Sequence, residues 1–125
     1  MLNTKVEAAA FKKAAYGAFS EVARAMGNPR RLELLDLLIQ GPRSVDGLAR
    51  GTHGALASTS QQLQVLKRAR LVLTERRGTT IEYRLAPGVA EVFVSLRRLA
   101  HQASAELRSS VSDFHERLGV PETIE

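Results

Sequence analysis

Between Pro42 and Leu85 a helical rhythm gives way abruptly to a strand rhythm, and that junction restricts the fold more than any other part of the chain. Ser44 is placed to cap a short helix bearing Val45, Leu48 and Ala49. A turn with Gly51 and Gly54 follows, and a second helix is expected to run to about Arg70. Directly afterwards "LVLTE" and "IEYRL" read as two strands around "RRGTT", with Ile81, Tyr83 and Leu85 alternating against Glu82 and Arg84. Arg76 and Arg77 then stand at the tip of a hairpin.

At 100° per residue, Leu56, Thr59, Leu63, Leu66 and Arg70 share one side of the second helix, which is expected to face the core. Ala57, Ser58, Gln61, Gln64 and Arg68 lie opposite, a stripe of small, amide and guanidinium side chains suited to base edges: Gln pairs with adenine, Arg with guanine, and Ser serves base or phosphate. Val65 falls on the same exposed side, and nothing in the helix itself accounts for it. Such a stripe in isolation is usually a solvated helix face. With two helices and a tight turn around it and a basic hairpin after it, the layout is that of a winged helix-turn-helix, and the stripe is read as a DNA-reading surface. The alternative is a winged helix that docks on another protein, its basic hairpin incidental.

Charge separates these readings. From Arg43 to Arg84 there are eight basic residues against three acidic ones, a balance of +5, and the whole chain is also +5, so the rest sums to zero. The excess is gathered on the segment that would touch phosphates. With 125 residues the chain fits one domain, residues 1–125, and 44% hydrophobic residues supply a modest core. No apolar run approaches the length of a bilayer span, and Lys5, Lys12 and Lys13 interrupt the N-terminal stretch, unlike a secretory signal; a cytoplasmic protein with no membrane partner is expected. The absence of cysteine removes disulfides and thiolate chemistry. There is no Gly-rich phosphate loop and no grouping of His with carboxylates, and the Ser residues lack a nearby base, so no enzyme and no cofactor are expected.

Outside the motif the chain reads as helices. The first spans about 5–26, with Phe11, Ala15, Ala18, Phe19, Val22 and Met26 on its apolar side. The next starts at Asn28-Pro29 and stops at Gly41-Pro42; its leucines wrap most of its surface, so it should be central. After Pro87 a long helix covers about 88–118, with Val89, Phe93, Leu96, Ala100, Ala103, Leu107, Ser110 and Phe114 spaced alternately by four and three. That seam either covers the domain's own core or joins two copies. A dimer is preferred, because so small a chain has little core left to cover such a helix and because palindromic DNA sites call for two-fold proteins.

With the elements placed, the chain resembles the ArsR/SmtB family of bacterial winged-helix repressors along essentially its whole length. The residues that carry the resemblance are "FSEVARAMGNPRRLELLDLL", "STSQQLQVLKRARLV" and "RRGTTIEYRL". It implies a mainly α fold with a two-stranded β-wing, the helix-turn-helix at about 44–70 and the wing at about 71–85. It implies a homodimer built on the first and last helices, which would include Phe11, Phe19, Phe93, Leu96, Ala100, Ala103, Leu107 and Phe114. It also implies double-stranded operator DNA as partner, and release when an inducer binds. By position, Ala57, Ser58, Ser60 and Gln61 match the recognition helix and Arg77 and Thr79 the wing. Gln62 departs from the family pattern, where His is common, and an amide there still hydrogen-bonds. The cysteines with which many relatives bind metal are absent from "RSVDGLA". On the last helix His101 and His115 are fourteen residues apart, which is about 21 Å along a helix, too far for one ion. An antiparallel partner could bring them together with Asp113 or Glu116, but Leu99 and Leu118 stand where further ligands belong, so no metal site is expected. The ending "SVSDFHERLGVPETIE" is similar to the segment that leads into a second, rhodanese-like domain in one subgroup.

Overall fold

The computed structural model describes residues 3–119, with Val111, Phe114 and His115 described by their backbone alone. The order is α1 (Thr4–Met26), α2 (Pro29–Ile39), β1 (Arg43–Ser44), α3 (Val45–Gly51), α4 (Leu56–Arg68), β2 (Val72–Arg77), β3 (Thr80–Leu85) and α5 (Val89–Leu118). Two compact units result, Met1–Ala90 and Glu91–Glu125.

Local chemistry sets most of these boundaries. The Asn28 side chain accepts from the Arg31 N–H at 3.1 Å and Pro29 occupies the first turn, so α2 starts where its N–H groups find a partner. Ser44 caps α3 in the same way, its Oγ accepting from the Gly47 N–H at 3.1 Å. Gly41, at φ 145°, takes a conformation open to glycine and ends α2.

The turn between α3 and α4 falls where Gly51 and Gly54 place it. Its left-handed residue is His53, at φ 54°, and neither glycine supplies it. Gly51 instead closes α3 and lets it approach α2, since a Cβ there would stand 2.8 Å from Leu37 Cδ1. Gly54 likewise lies against Thr59, whose Oγ1 would be 3.0 Å from an added Cβ. The second helix ends at Arg68, two residues early, because Arg70 adopts φ 62° to turn the chain into the sheet. Arg70 therefore leaves the helical face to which spacing assigned it, and Leu56, at the first position of α4, is 51% exposed.

Leu34, Leu35 and Leu38 of α2, Leu48 of α3, Leu63 and Leu66 of α4, Val72 and Tyr83 form the core. α2 touches α1, α3, α4 and β3, the central place its leucines indicated. Ile39 is the exception at the exposed end of α2.

β2 and β3 form an antiparallel ribbon in register from Val72↔Leu85 to Arg77↔Thr80, so only Gly78 and Thr79 lie between the paired ends, with Gly78 at φ 64°. Arg76 and Arg77 are thus on the strand and not in a loop. The short β1 pairs with β3, Arg43↔Tyr83 and Ser44↔Glu82, making a three-stranded sheet in the order β1-β3-β2.

α1 buries only Ala25 and Met26, and Phe11 and Phe19 stand 77% and 72% exposed. Within α5, Val89 and Phe93 are buried, while Leu96, Ala100, Ala103 and Leu107 are exposed. Phe93, expected in the seam, is 6% exposed, with the Arg97 guanidinium 5.6 Å from its ring centroid. The side chain of Phe114 lies outside the described residues, as does that of His115.

Candidate nucleic-acid interface

Two turns of α4 carry the outward side chains expected at base edges. Thr59, Leu63 and Leu66 turn inward and are buried, which leaves Ala57 and Gln61 exposed on the opposite side and Ser58 and Ser60 half-buried at its margins. Gln61 makes no hydrogen bond to another described residue, so both ends of its amide are open to solvent. Ser58 is engaged: its Oγ donates to the Ala55 carbonyl at 3.1 Å and accepts from Arg30 Nη1 at 3.4 Å. Arg30, at the start of α2, is a cation beside the outward face of α4 that helical periodicity in α4 could not reveal.

Its neighbour Arg31 has a different task. Nε donates to the Ala25 carbonyl at 2.6 Å, Nη2 to the Arg24 carbonyl at 3.1 Å, and Nη1 to Gln62 Oε1 at 2.9 Å. One half-buried guanidinium thus holds the carbonyl end of α1 and the middle of α4 together, and the amide of Gln62 serves as an internal acceptor.

Farther along α4 the expected stripe divides. Gln64 Nε2 donates to the Tyr83 hydroxyl at 3.4 Å, tying the helix to the sheet. Arg68 is eleven residues beyond Ala57, about 16 Å along the axis. It lines a depression with Glu21, Arg24, Ala25, Arg31, Val65 and Ala69. Val65 is accounted for here: it is half-buried toward the end of α1 and the start of α2.

On the hairpin Arg76 and Arg77 are exposed, and Thr79 occupies the turn. Glu75 and Glu82 stand directly opposite one another, and Arg77 offsets their repulsion, its Nε 2.8 Å from Glu82 and its Nη2 3.8 Å from Glu75. Such pairs are weak in water, so a phosphate can compete for Arg77. His101 is exposed on α5, and no group of three or more metal-ligating side chains occurs among the described residues.

Residues 28–74, from the α2 cap into β2, match the family described as bacterial regulatory protein, arsR family. Over 112 residues, 89% of its length, the chain is 38% identical to the HTH-type transcriptional regulator Rv0324 of Mycobacterium tuberculosis, of which it spans 48%, about half. It is also 38% identical to the homodimeric winged helix-turn-helix DNA-binding domain (fragment 1–100) of Mb0332 from Mycobacterium bovis, with a TM-score of 0.70 over 73% of this chain and 85% of that one. The chain belongs to the arsR family. Its fold is likewise similar to that of the transcriptional repressor BigR from Xylella fastidiosa, at a TM-score of 0.59 and 28% identity over 79% of this chain and 96% of that one. As an arsR-family member it is a winged helix-turn-helix regulator of the DNA-binding kind; the protein-docking alternative finds no support.

Proposed function

We propose that this arsR-family chain is a homodimeric repressor that reads a palindromic operator and is released by a signal. Each α4 enters a major groove, with Ala57, Ser58, Ser60 and Gln61 at base edges, while Arg76, Arg77 and Thr79 meet the phosphates beside it. The observation that carries this reading is the unengaged amide of Gln61 next to Ala57 and Ser58, flanked by the exposed Arg30. Gln64, tied to the sheet through Tyr83, and Arg68, beside α1, stand at the edge of the contact.

Two-fold assembly is supported by apolar side chains that a lone chain leaves in water. On α1 these are Val6, Phe11, Tyr16 and Phe19, and on α5 Val92, Leu96, Leu99 and Leu107. The homodimeric state of the Mb0332 domain supports the same reading, and the likeness to BigR supports repression.

A gel shift with DNA upstream of the chain's own gene, over a range of salt, tests the proposal. The doubled charge of the motif gives an expected log–log slope of roughly −4 to −8. A slope near zero, or equal affinity for operator and random DNA, would overturn it. Ser58→Ala and Gln61→Ala should each reduce discrimination by about 1–3 kcal/mol at most.

A further inference from the structure

The depression behind α4 has a volume of about 360 Å³ and draws its walls from three helices: Glu21, Arg24 and Ala25 of α1, Arg31 of α2, and Val65 and Arg68 of α4, with Ala69 just beyond. That size falls within the range of small-molecule sites. Its chemistry is amphipathic. Ala25 is buried and Val65 and Ala69 half-buried, an apolar floor, whereas three guanidinium groups face one carboxylate. Arg31 is fixed by hydrogen bonds to two carbonyls and Gln62, so its charge is held at the wall without freedom to swing away. Arg68 has no hydrogen bond or ion pair to another described residue, and Arg24 is held only by the exposed Glu21, 2.8 Å away. Weak exposed pairs of that kind yield readily to a better-placed anion.

We infer that this depression is a binding site for a small organic carboxylate with an apolar body, and that it is where this regulator receives its signal. The carboxylate lies between Arg24 and Arg68, and the apolar body rests on Ala25, Val65 and Ala69. Because the walls belong to α1 and to the last turns of α4, occupancy acts on the angle at which the reading helix is held. The regulatory half of the inference rests on the operator reading above; the binding half does not.

Amide chemical shifts of the intact chain, recorded without DNA during titration with benzoate, 2-naphthoate, their uncharged amides and inorganic phosphate, test the binding half. At least one of the two carboxylates should shift residues 21–25, 31 and 65–69 as a set, and the amides should not. Arg24→Gln should weaken that binding about tenfold. Ala69→Glu, which puts a competing carboxylate in the depression, should abolish it while leaving the spectrum dispersed. The site assignment is overturned if neither carboxylate shifts this set, if the amides or phosphate alone shift it equally, or if both variants bind as the parent does. A gel shift in the presence of the bound carboxylate tests the regulatory half: operator affinity should fall about tenfold in the parent and stay unchanged in Ala69→Glu. Unaltered parent affinity with the shifts present would overturn regulation alone, whereas failure of the chain to bind operator at all would overturn the proposed function and leave the shifts to judge the site.

Discussion

Removing the Arg31 guanidinium should destabilise the protein far more than removing that of Arg30, one residue earlier. Arg31 makes three hydrogen bonds, two to the carbonyls of Arg24 and Ala25 and one to Gln62, all by the same half-buried group. A hydrogen bond to a charged partner contributes about 1.5–3 kcal/mol when well shielded. Water reaches this site, so about 1 kcal/mol for each bond is the better figure, and Arg31→Ala should cost about 3 kcal/mol. Arg31→Lys keeps a cation near the end of α1, worth about 0.3–1 kcal/mol, but a point charge cannot span three acceptors, so about 2 kcal/mol is still lost. Arg30 makes one bond of 3.4 Å at the surface, and Arg30→Ala should change stability by less than about 0.5 kcal/mol. Urea denaturation of the three variants at a single protomer concentration measures this, concentration being fixed because assembly adds to apparent stability. If Arg31→Ala unfolded within about 0.5 kcal/mol of the parent, or Arg31→Lys fully restored stability, the three-point brace would be refuted.

Three further outcomes are expected. Glu82→Gln should free Arg77 and strengthen binding to operator and random DNA alike by about two- to fivefold; an unchanged affinity for random DNA would remove Arg77 from the phosphate contact. Gly41→Ala, at φ 145°, should cost about 1–3 kcal/mol in denaturant titration, and a neutral result would show that the α2–β1 turn relaxes without strain. Leu107→Glu, in the exposed part of the α5 seam, should yield monomers in sedimentation with weakened operator binding and an intact fold, whereas an unchanged dimer would move the interface elsewhere.

Features of the fold that depend on neighbours in sequence were legible, and those that depend on distant ones were not. The caps at Asn28 and Ser44 involve residues three apart, and both form as composition indicates. The left-handed conformations at His53 and Arg70 have no signal in composition, which says where glycine is tolerated and not where the backbone needs a positive φ, while Gly51 serves close packing. The hairpin was read too short. Beyond Thr74 and Tyr83 the ribbon projects into water with no buried face, so "RRGTT" carries no alternation even though Arg76, Arg77 and Thr80 are paired. β1 offers two residues and no period, and only its partner β3 makes it a strand.

The outward face of α4 was legible by its period, because the buried Thr59, Leu63 and Leu66 define what remains outside. Arg30 and Arg31 were not, since they act on Ser58 and Gln62, 28 and 31 residues away. Charge shows the same limit from another side. Summed along the chain, everything outside residues 43–84 is neutral, so net charge marks the motif alone. Folding re-sorts those charges: Arg24 and Arg31 come from the nominally neutral part, join Arg68 from the motif, and meet only Glu21 in one depression. A segment's net charge sets long-range attraction to a polyanion, but recognition of a small anion depends on which cations share a few ångströms, and only the packing of α1, α2 and α4 determines that.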